Sequence, residues 1–579
     1  MSKPDLYRLP DLLQRTAELL RLSGASDFKA IAYEKASAVV ESEGEALRDR
    51  DSEASLKELP NIGSSIAKDL HAYMETGRLP ALEELEAQIP AALIEWLDIS
   101  GLGPKRAAKI HKALDITTLT ELQAAIEDGR VADLPGFGKK SAEKILEAIQ
   151  WRAQHADRCR YDEALALAET AREQLKKVDG LRKLEIAGSL RRCRETIGDL
   201  DFLSVCDEPE DLHACFRSLP EVTEVLAAGA TKSSVRVGNG RQMDLRTVES
   251  KSFAAALLYF TGSKEHNVFL RGRAREKNLT LNEYGLYPLK EGEADREHPL
   301  PCETEAELYA ALDLPYTPPE LREGPYETLI RNHQLPNLVT ENDLQGILHA
   351  HSTWSDGADD IETMARACLN QGYKYLGITD HSKSAGYAGG LSIERVQAQW
   401  KEIDALNQKF KDEGVDFTVY KGMESDILID GRLDYPDEIL EGFDFVIASL
   451  HSQLDQEVSA MQARVETALR HPAVTLLGHP TARLLLKREG AKLQMEAIIR
   501  LAAERGVGIE LNCTPQRMEL DWRWGALAAE VGLKTAICPD AHAVAEIQQA
   551  KTYGIPLARK AAFTAKRILN CHAKPFGEK

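Results

Sequence analysis

A chain of 579 residues is too long for one hydrophobic core, and roughly three to five domains are expected. With 43% hydrophobic and 28% charged residues, no apolar run of membrane-spanning length and no signal-peptide core in the opening MSKPDLYRLPDLLQ, the composition excludes a membrane or secreted class, and a soluble cytoplasmic protein with no membrane partner is expected. Nine scattered cysteines with no C-x-x-C pair exclude a disulfide framework and a thiolate zinc finger, and a net charge of −20 excludes an evenly basic coat, so any contact with nucleic acid must come from local patches.

Residues 1–90 read as helical, with apolar periodicity through Leu12-Leu13, Leu19-Leu20 and Ile31. One pattern then occurs three times: LPNIGSSIAKDL at 59–70, ISGLGPKRAAKI at 99–110 and LPGFGKKSAEKI at 134–145. Each is an apolar residue, a tight turn and a helix start. Gly101 and Gly136 allow the turn positive φ, and Asn61, which tolerates the same conformation, replaces the glycine in the first copy. The second glycines, Gly63, Gly103 and Gly138, open the helices whose free N–H groups and dipole attract phosphate. Lys105, Arg106, Lys109, Lys139 and Lys140 add positive charge. These are helix-hairpin-helix motifs, which hold the DNA backbone without reading bases.

From 182 to 250 the pattern turns to short alternating strands. In GDLDF, Asp199 and Asp201 leave one strand face while Leu200 and Phe202 point into a core. Asp244, between Met243 and Leu245, sits in a second strand, and three carboxylates on neighbouring strands suit two divalent cations. Upstream, Gly188 and Ser189 form a turn followed by Arg191 and Arg192, giving G-S-x-R-R and then G-D-x-D, the arrangement of a nucleotidyltransferase palm.

The run YFTGS at 259–263, with Asn267 and Arg271 downstream, completes a series that resembles the family X DNA polymerases, which include polymerase beta, over about residues 5–317. The resemblance implies roles position by position. Ser189 and Arg192, with the backbone at Gly188 and Gly198, bind the incoming triphosphate. Asp199, Asp201 and Asp244 are catalytic and hold Mg²⁺ or Mn²⁺. Tyr259, Phe260 and Gly262 lie at the sugar, Asn267 at the incoming base and Arg271 at the template. Two positions depart from polymerase beta. Asp69 stands where lyase-active members have the Schiff-base lysine, so that lyase activity is not expected. Gln242 stands where an arginine steadies the third carboxylate.

The segment YTPPELREG at 316–324 reads as a linker. After it, seven strand-like runs alternate with helical stretches: GILHAH, YLGITDH, FTVYKGME, FVIASLH, VTLLGH, VGIELN and TAICPDAH. If these form a parallel barrel, the ligand-type residues at their carboxyl ends converge on one rim. That set is His349, His351, Asp356, His381, Glu424, His451, His479, Asp540 and His542. It resembles the PHP (polymerase and histidinol phosphatase) domain, a distorted seven-stranded barrel with up to three metals. A ligand set of histidines and carboxylates without cysteine suits Zn²⁺, Mn²⁺ or Fe, with Zn²⁺ or Mn²⁺ expected here, and such a cluster supports phosphoester hydrolysis.

The chain as a whole is similar to the bacterial family X DNA polymerases. The expected fold is multidomain, α+β and α/β. It comprises a helical domain at 1–90 with the first helix-hairpin-helix, fingers at 91–160 with the other two, a palm at 161–250, a thumb at 251–317, a linker at 318–340 and a PHP barrel at 341–579. The resemblance implies a monomer, associated with the nucleoid, that uses dNTPs to fill short gaps in nicked or gapped double-stranded DNA during repair. The PHP domain would trim 3′ ends as a 3′–5′ exonuclease, or act as an abasic-site endonuclease or 3′-phosphatase. The alternative is a polymerase whose PHP domain is a structural metal module.

Overall fold

The computed structural model describes residue 6 and residues 9–24, 27–43, 47–48, 50, 52–97, 99, 101–155, 157–238 and 240–576. The first residues of the opening stretch and Ser100 of the second repeat lie outside the described residues. No described helix is long and apolar enough to cross a membrane.

Helices fill the front of the chain, from Leu9–Leu22 and Asp27–Glu43 to Lys139–His155. Leu13, Leu20, Tyr33, Leu70, Trp96, Ile110 and Ile145 belong to one buried cluster, so the segments 1–90 and 91–160 share a single core. Ile31, counted with the apolar stripe of the first segment, is instead exposed. It lies in a groove with Asp27, Gly103 and Lys105.

Behind it stands a five-stranded sheet in the order Leu181–Ile186, Asp199–Cys206, Arg241–Thr247, Lys232–Val237, Val222–Ala228. Its neighbours run antiparallel except Asp199–Cys206 and Arg241–Thr247, which are parallel. Leu200, Phe202, Met243 and Leu245 are buried on one side of this pair, as alternation requires. Two helices, Phe253–Thr261 and Lys264–Glu276, and a three-stranded antiparallel sheet form the thumb.

The stretch expected as a linker at 318–340 is packed. Leu321, Arg322 and Tyr326 are buried, and so is Thr317 just before it. The prolines that suggest a linker start a short helical turn at Pro319–Leu321. The buried Arg322 guanidinium ion-pairs with Glu305 at 2.5 Å, which meets the cost of burying its charge.

The last 240 residues or so form a parallel sheet of seven strands in sequential order: Gly346–Ile347, Tyr375–Ile378, Thr418–Asp426, Phe445–Ser449, Val474–Leu477, Gly508–Asn512 and Thr535–Cys538. All seven sequence runs become strands. Beyond the last strand, Ala541 bridges in parallel to Ala350, and the His351 amide donates to the Ala541 carbonyl at 2.8 Å. That seam joins the two outermost strands and nearly closes a barrel. At the opposite end Phe576 stacks on Phe445, with ring centroids 4.7 Å apart.

Candidate active sites

The hairpin turns have the backbone that the sequence requires. Asn61, Gly101 and Gly136 have φ of 61°, 82° and 83°. Gly63 and Gly103 cap helices of 13 and 11 residues without side-chain capping; the first offers its opening amides to phosphate, while in the second Pro104 has no N–H and the Arg106 amide donates to the Gly103 carbonyl at 2.9 Å, which leaves the Lys105 amide. Gly138, Lys139 and Lys140 are exposed at the start of the third such helix. Lys105 is exposed and paired with Asp27 at 2.9 Å. Arg106 and Lys109 work differently from expectation. Arg106 donates to the Gly101 carbonyl at 2.7 Å and to Ser141, and lies over the Phe137 ring. Lys109 donates to the Pro135 carbonyl. Both fasten the second hairpin to the third. Asp69 is buried and accepts a hydrogen bond from the Tyr33 hydroxyl at 2.6 Å, while Lys68 beside it faces solvent.

In the sheet, Asp201 and Asp244 are register partners on parallel strands, and Asp199 is opposite Gln242. The three carboxylates therefore share one edge of the palm. The Gln242 amide donates to Asp244 Oδ1 at 2.9 Å, so this glutamine steadies the third carboxylate without an arginine. Burial first, then the charges of Asp199 and Asp244, push the Asp201 carboxyl up to about 7. Among the described residues, the groups of three or more ligand atoms within 4.8 Å of one another all lie in the barrel, so the palm carboxylates are spread more widely.

Gly188 opens a short helix with φ of +62°, and a Cβ there would lie 2.4 Å from Asp201 Oδ2. The absent side chain lets the turn approach the carboxylate. Ser189 follows in the same turn, and Gly198 directly precedes the strand that begins at Asp199. Arg192 Nε donates to Glu323 at 3.0 Å and Nη1 to the Thr261 carbonyl at 2.5 Å. Its third nitrogen makes no hydrogen bond among the described residues. Gly262 approaches the same guanidinium. Tyr259 and Phe260 meet edge to face at 5.2 Å, and Arg246 covers the Phe260 ring. Tyr259, Asn267 and Arg271 line one small cleft, where the Asn267 amide donates to the Tyr259 carbonyl.

In the barrel the nine expected ligands lie close together, eight of them in groups that could hold an ion and His479 alongside through Glu424. His349 Nε2 lies 3.2 Å from Asp540 and 3.4 Å from Glu424, and His351 Nε2 lies 3.1 Å from Asp540. Glu424 also lies 2.9 Å from His381, 3.2 Å from His451 and 3.0 Å from His479. Asp356 lies 3.5 Å from both His381 and His542. Three overlapping groups of donors emerge: His351, Asp356, His381 and His542; His349, His351 and Asp540; and His381, Glu424 and His451.

The residues fit metal ions on two grounds. Among the described residues, His349 Nε2, His351 Nδ1, His381 Nδ1, His479 Nδ1 and Glu424 Oε2 are buried without a properly aligned hydrogen bond, even where a carboxylate or imidazole stands near, a costly arrangement that coordination would relieve. The donors are also imidazole nitrogens and carboxylate oxygens in the numbers that divalent transition ions take. Burial disfavours charge on His381, but Glu424 and Asp356 outweigh it and raise the imidazole to about 11. His351, without comparable compensation and beside His542 and His381, falls to about 3.

Other residues of the site were not picked out by sequence. Glu510 lies 3.0 Å from His349 Nδ1 and accepts the His479 amide at 2.8 Å. Asn512 donates to Glu510 and to Asp540. Asp426 lies 2.5 Å from His451 Nδ1. These partners orient the imidazoles from behind. A signal existed: Glu510 and Asn512 share a strand face, and Asp426 follows Glu424 by two residues. At the mouth, Tyr387 is 75% exposed, with its ring 6.1 Å from His381 and 6.4 Å from His451.

Family models match four stretches of the chain: a helix-hairpin-helix domain at 8–79, a SAM-like helix-hairpin-helix tandem at 93–150, the DNA polymerase beta thumb at 256–323 and the PHP domain at 348–514. The chain is 38% identical over 575 residues to the DNA polymerase/3′-5′ exonuclease PolX of Bacillus subtilis, covering 99% of this chain and 98% of that protein. It is 25% identical over 289 residues to DNA polymerase lambda of Rattus norvegicus, covering 46% of this chain and 48% of that one. A probable phosphatase of Caldanaerobacter subterraneus is 29% identical over 205 residues, 34% of this chain and 74% of its own. With a polymerase-beta thumb and palm carboxylates in the front half and a nine-donor PHP barrel behind, the chain belongs to the bacterial family X DNA polymerases.

Proposed function

We propose that the chain fills short gaps in double-stranded DNA from dNTPs at the palm and trims 3′ ends hydrolytically at the PHP barrel. The observation that carries this is the presence, in one chain, of the Asp201–Asp244 carboxylate pair and of eight barrel donors in three overlapping groups, with His479 beside Glu424. Divalent cations, Mg²⁺ or Mn²⁺ at the palm and Zn²⁺ or Mn²⁺ at the barrel, supply at both places an acidified attacking oxygen and neutralised phosphate charge.

The chain's own residues do the rest. Asp199, Asp201 and Asp244 hold the palm ions, and Gln242 fixes one oxygen of Asp244 and leaves the other free. Ser189 and the free nitrogen of Arg192 receive the triphosphate. The primer 3′-oxygen forms a bond to the α-phosphorus as the bond to pyrophosphate breaks. Tyr259, Asn267 and Arg271 present one wall to the nascent base pair. Gly63, Gly103 and Gly138 open the helices that grip the phosphodiester backbone on either side of a gap. At the barrel the nine donors hold the ions, and Tyr387 offers an aromatic face on which a terminal base stacks. Water then displaces the terminal nucleotide as its 5′-monophosphate. Among the described residues Asp69 leaves no amine at the lyase position, so the chain acts on 3′ ends and gaps without Schiff-base chemistry there.

The test is a 5′-labelled primer in a gapped duplex with Mn²⁺, with and without dNTPs, comparing wild type with His351→Ala. Wild type should shorten the primer without dNTPs, His351→Ala should not, and both should extend it when dNTPs are added. If His351→Ala trims as fast as wild type, the nuclease does not lie in the barrel.

A further inference from the structure

Lys560 ends the helix Ile555–Lys560, which follows the last barrel strand, yet its side chain leaves the barrel for the palm. The side chain is fully buried. Its ammonium donates to the Arg192 carbonyl at 2.8 Å, to Glu323 Oε1 at 3.1 Å and to the Glu320 carbonyl at 3.5 Å, and sits 4.4 Å over the Trp522 ring. The Tyr326 hydroxyl holds the Lys560 carbonyl at 2.8 Å.

A buried ammonium needs acceptors, and any three would satisfy it. Here two of the three converge on one residue of the palm. The Arg192 carbonyl is bound directly. Glu323 Oε1, bound by Lys560, also accepts from Arg192 Nε at 3.0 Å. Arg192 Nη1 is taken by the Thr261 carbonyl. Among the described residues the guanidinium is thus held at two nitrogens and free at the third, and Lys560 secures both the backbone of the residue and the carboxylate that orients its side chain. Without the ammonium, Glu323 would retain Arg192 and Arg194 as partners but lose the cation that fixes its position, Arg194 lying 3.8 Å away.

We propose that Lys560, supplied by the PHP domain, is a positioning residue for nucleotide binding in the polymerase half: through Glu323 and the Arg192 carbonyl it keeps Arg192 in the pose that leaves one guanidinium nitrogen for the incoming triphosphate. The inference rests on the reading that Arg192 binds that triphosphate. It gives the PHP domain a part in polymerisation that is separate from its metal centre.

The experiment uses the full-length chain and single-nucleotide gap filling, measuring kcat and KM for the dNTP complementary to the template. Four variants are compared with wild type: Lys560→Met, Glu323→Gln, Arg192→Ala and the double variant Lys560→Met/Arg192→Ala. Bound Mn²⁺ or Zn²⁺ and thermal melting report whether the barrel is folded. Lys560→Met should raise KM by about tenfold, the loss expected for a misaligned charge-assisted hydrogen bond, with kcat changed far less. Glu323→Gln, which keeps the shape of the carboxylate, should raise KM in the same sense without loss of bound metal. In the Arg192→Ala background, Lys560→Met should add nothing further. If Arg192→Ala leaves KM unchanged, the triphosphate role of Arg192 fails and this inference falls with it. If Arg192→Ala raises KM but Lys560→Met and Glu323→Gln do not, or if the effects of Lys560→Met and Arg192→Ala multiply, Lys560 is a structural anchor only.

Discussion

Replacing Gly188 with alanine isolates the geometry of the palm from its stability. The new Cβ would stand 2.4 Å from Asp201 Oδ2, 3.3 Å from its Cγ and 3.5 Å from its Cβ. Ordinary contact begins at 3.4 Å, so the oxygen must retreat by about 1 Å (3.4 − 2.4), while the carbon atoms scarcely need to move. The folding cost is modest: φ of +62° costs a non-glycine residue about 1–2 kcal/mol, and a carboxylate tip is easily displaced. The catalytic cost is large, because a displacement of about 1 Å at a reacting centre is worth roughly a hundredfold in rate. Gly188→Ala should therefore lose about two orders of magnitude in kcat/KM for gap filling, with melting lowered by only a few degrees. Primer trimming in the same tube should be unchanged. A rate within a few fold of wild type would sink the claim that the Asp201 carboxylate works where it stands. Parallel loss of trimming would show the effect to be global.

Glu510→Gln removes the charge behind His349 and leaves one accepting oxygen where Glu510 uses two, one for His349 and Asn512 and one for the His479 N–H. Metal affinity at the barrel should fall about 10–100-fold, as read by competition with a chelator; unaltered affinity would mean that Glu510 only packs. Glu195, buried against Arg523 and Trp522 of the PHP domain, is held down to about 2, because Arg523 and Arg194 outweigh the effect of burial. A depressed carboxylate contributes stability above its unfolded value of 4.5 and loses that contribution as pH falls towards 2. Glu195→Gln should cost about 3 kcal/mol at pH 7, with the gap from wild type narrowing below about pH 4.5; a gap of constant size down to pH 3.5 would contradict this. Replacing Lys139 and Lys140 together by alanine should weaken DNA binding alike for all sequences and reduce the salt slope by about two, and an unchanged slope would place the phosphate elsewhere.

The sequence was most legible where backbone conformation or strand position decides chemistry. Asn61, Gly101 and Gly136 were readable because few residues take positive φ, and each does so. The nine candidate barrel donors were readable because each lies at or just beyond the end of an apolar run, where a parallel sheet has only one rim. Contacts chosen by neighbours distant in the chain were hidden. Arg106 and Lys109 carry the charge that phosphate needs, but long cations take whatever acceptor packing brings near, here Ser141 and the Pro135 carbonyl of the adjoining hairpin. The prolines of 316–324 suggested slack, while the burial of Arg322 depended on Glu305. Lys560 and Arg192 are 368 residues apart, and nothing in the pattern around either announces the other.

The barrel seam has a consequence for the order in which the molecule comes into being. His351 meets Asp540 across 189 residues, and the Ala350–Ala541 bridge forms only once the last strand has been made. A nascent chain has made its palm and thumb residues long before that, and domains begin to fold as they emerge. The palm carboxylates are therefore made ahead of the hydrolytic centre, while Arg192 gains Lys560 only with the last residues. Stalled chains ending before Thr535 lack both Lys560 and Asp540, so they should show a raised KM for the dNTP and should lack the metal group of His349, His351 and Asp540.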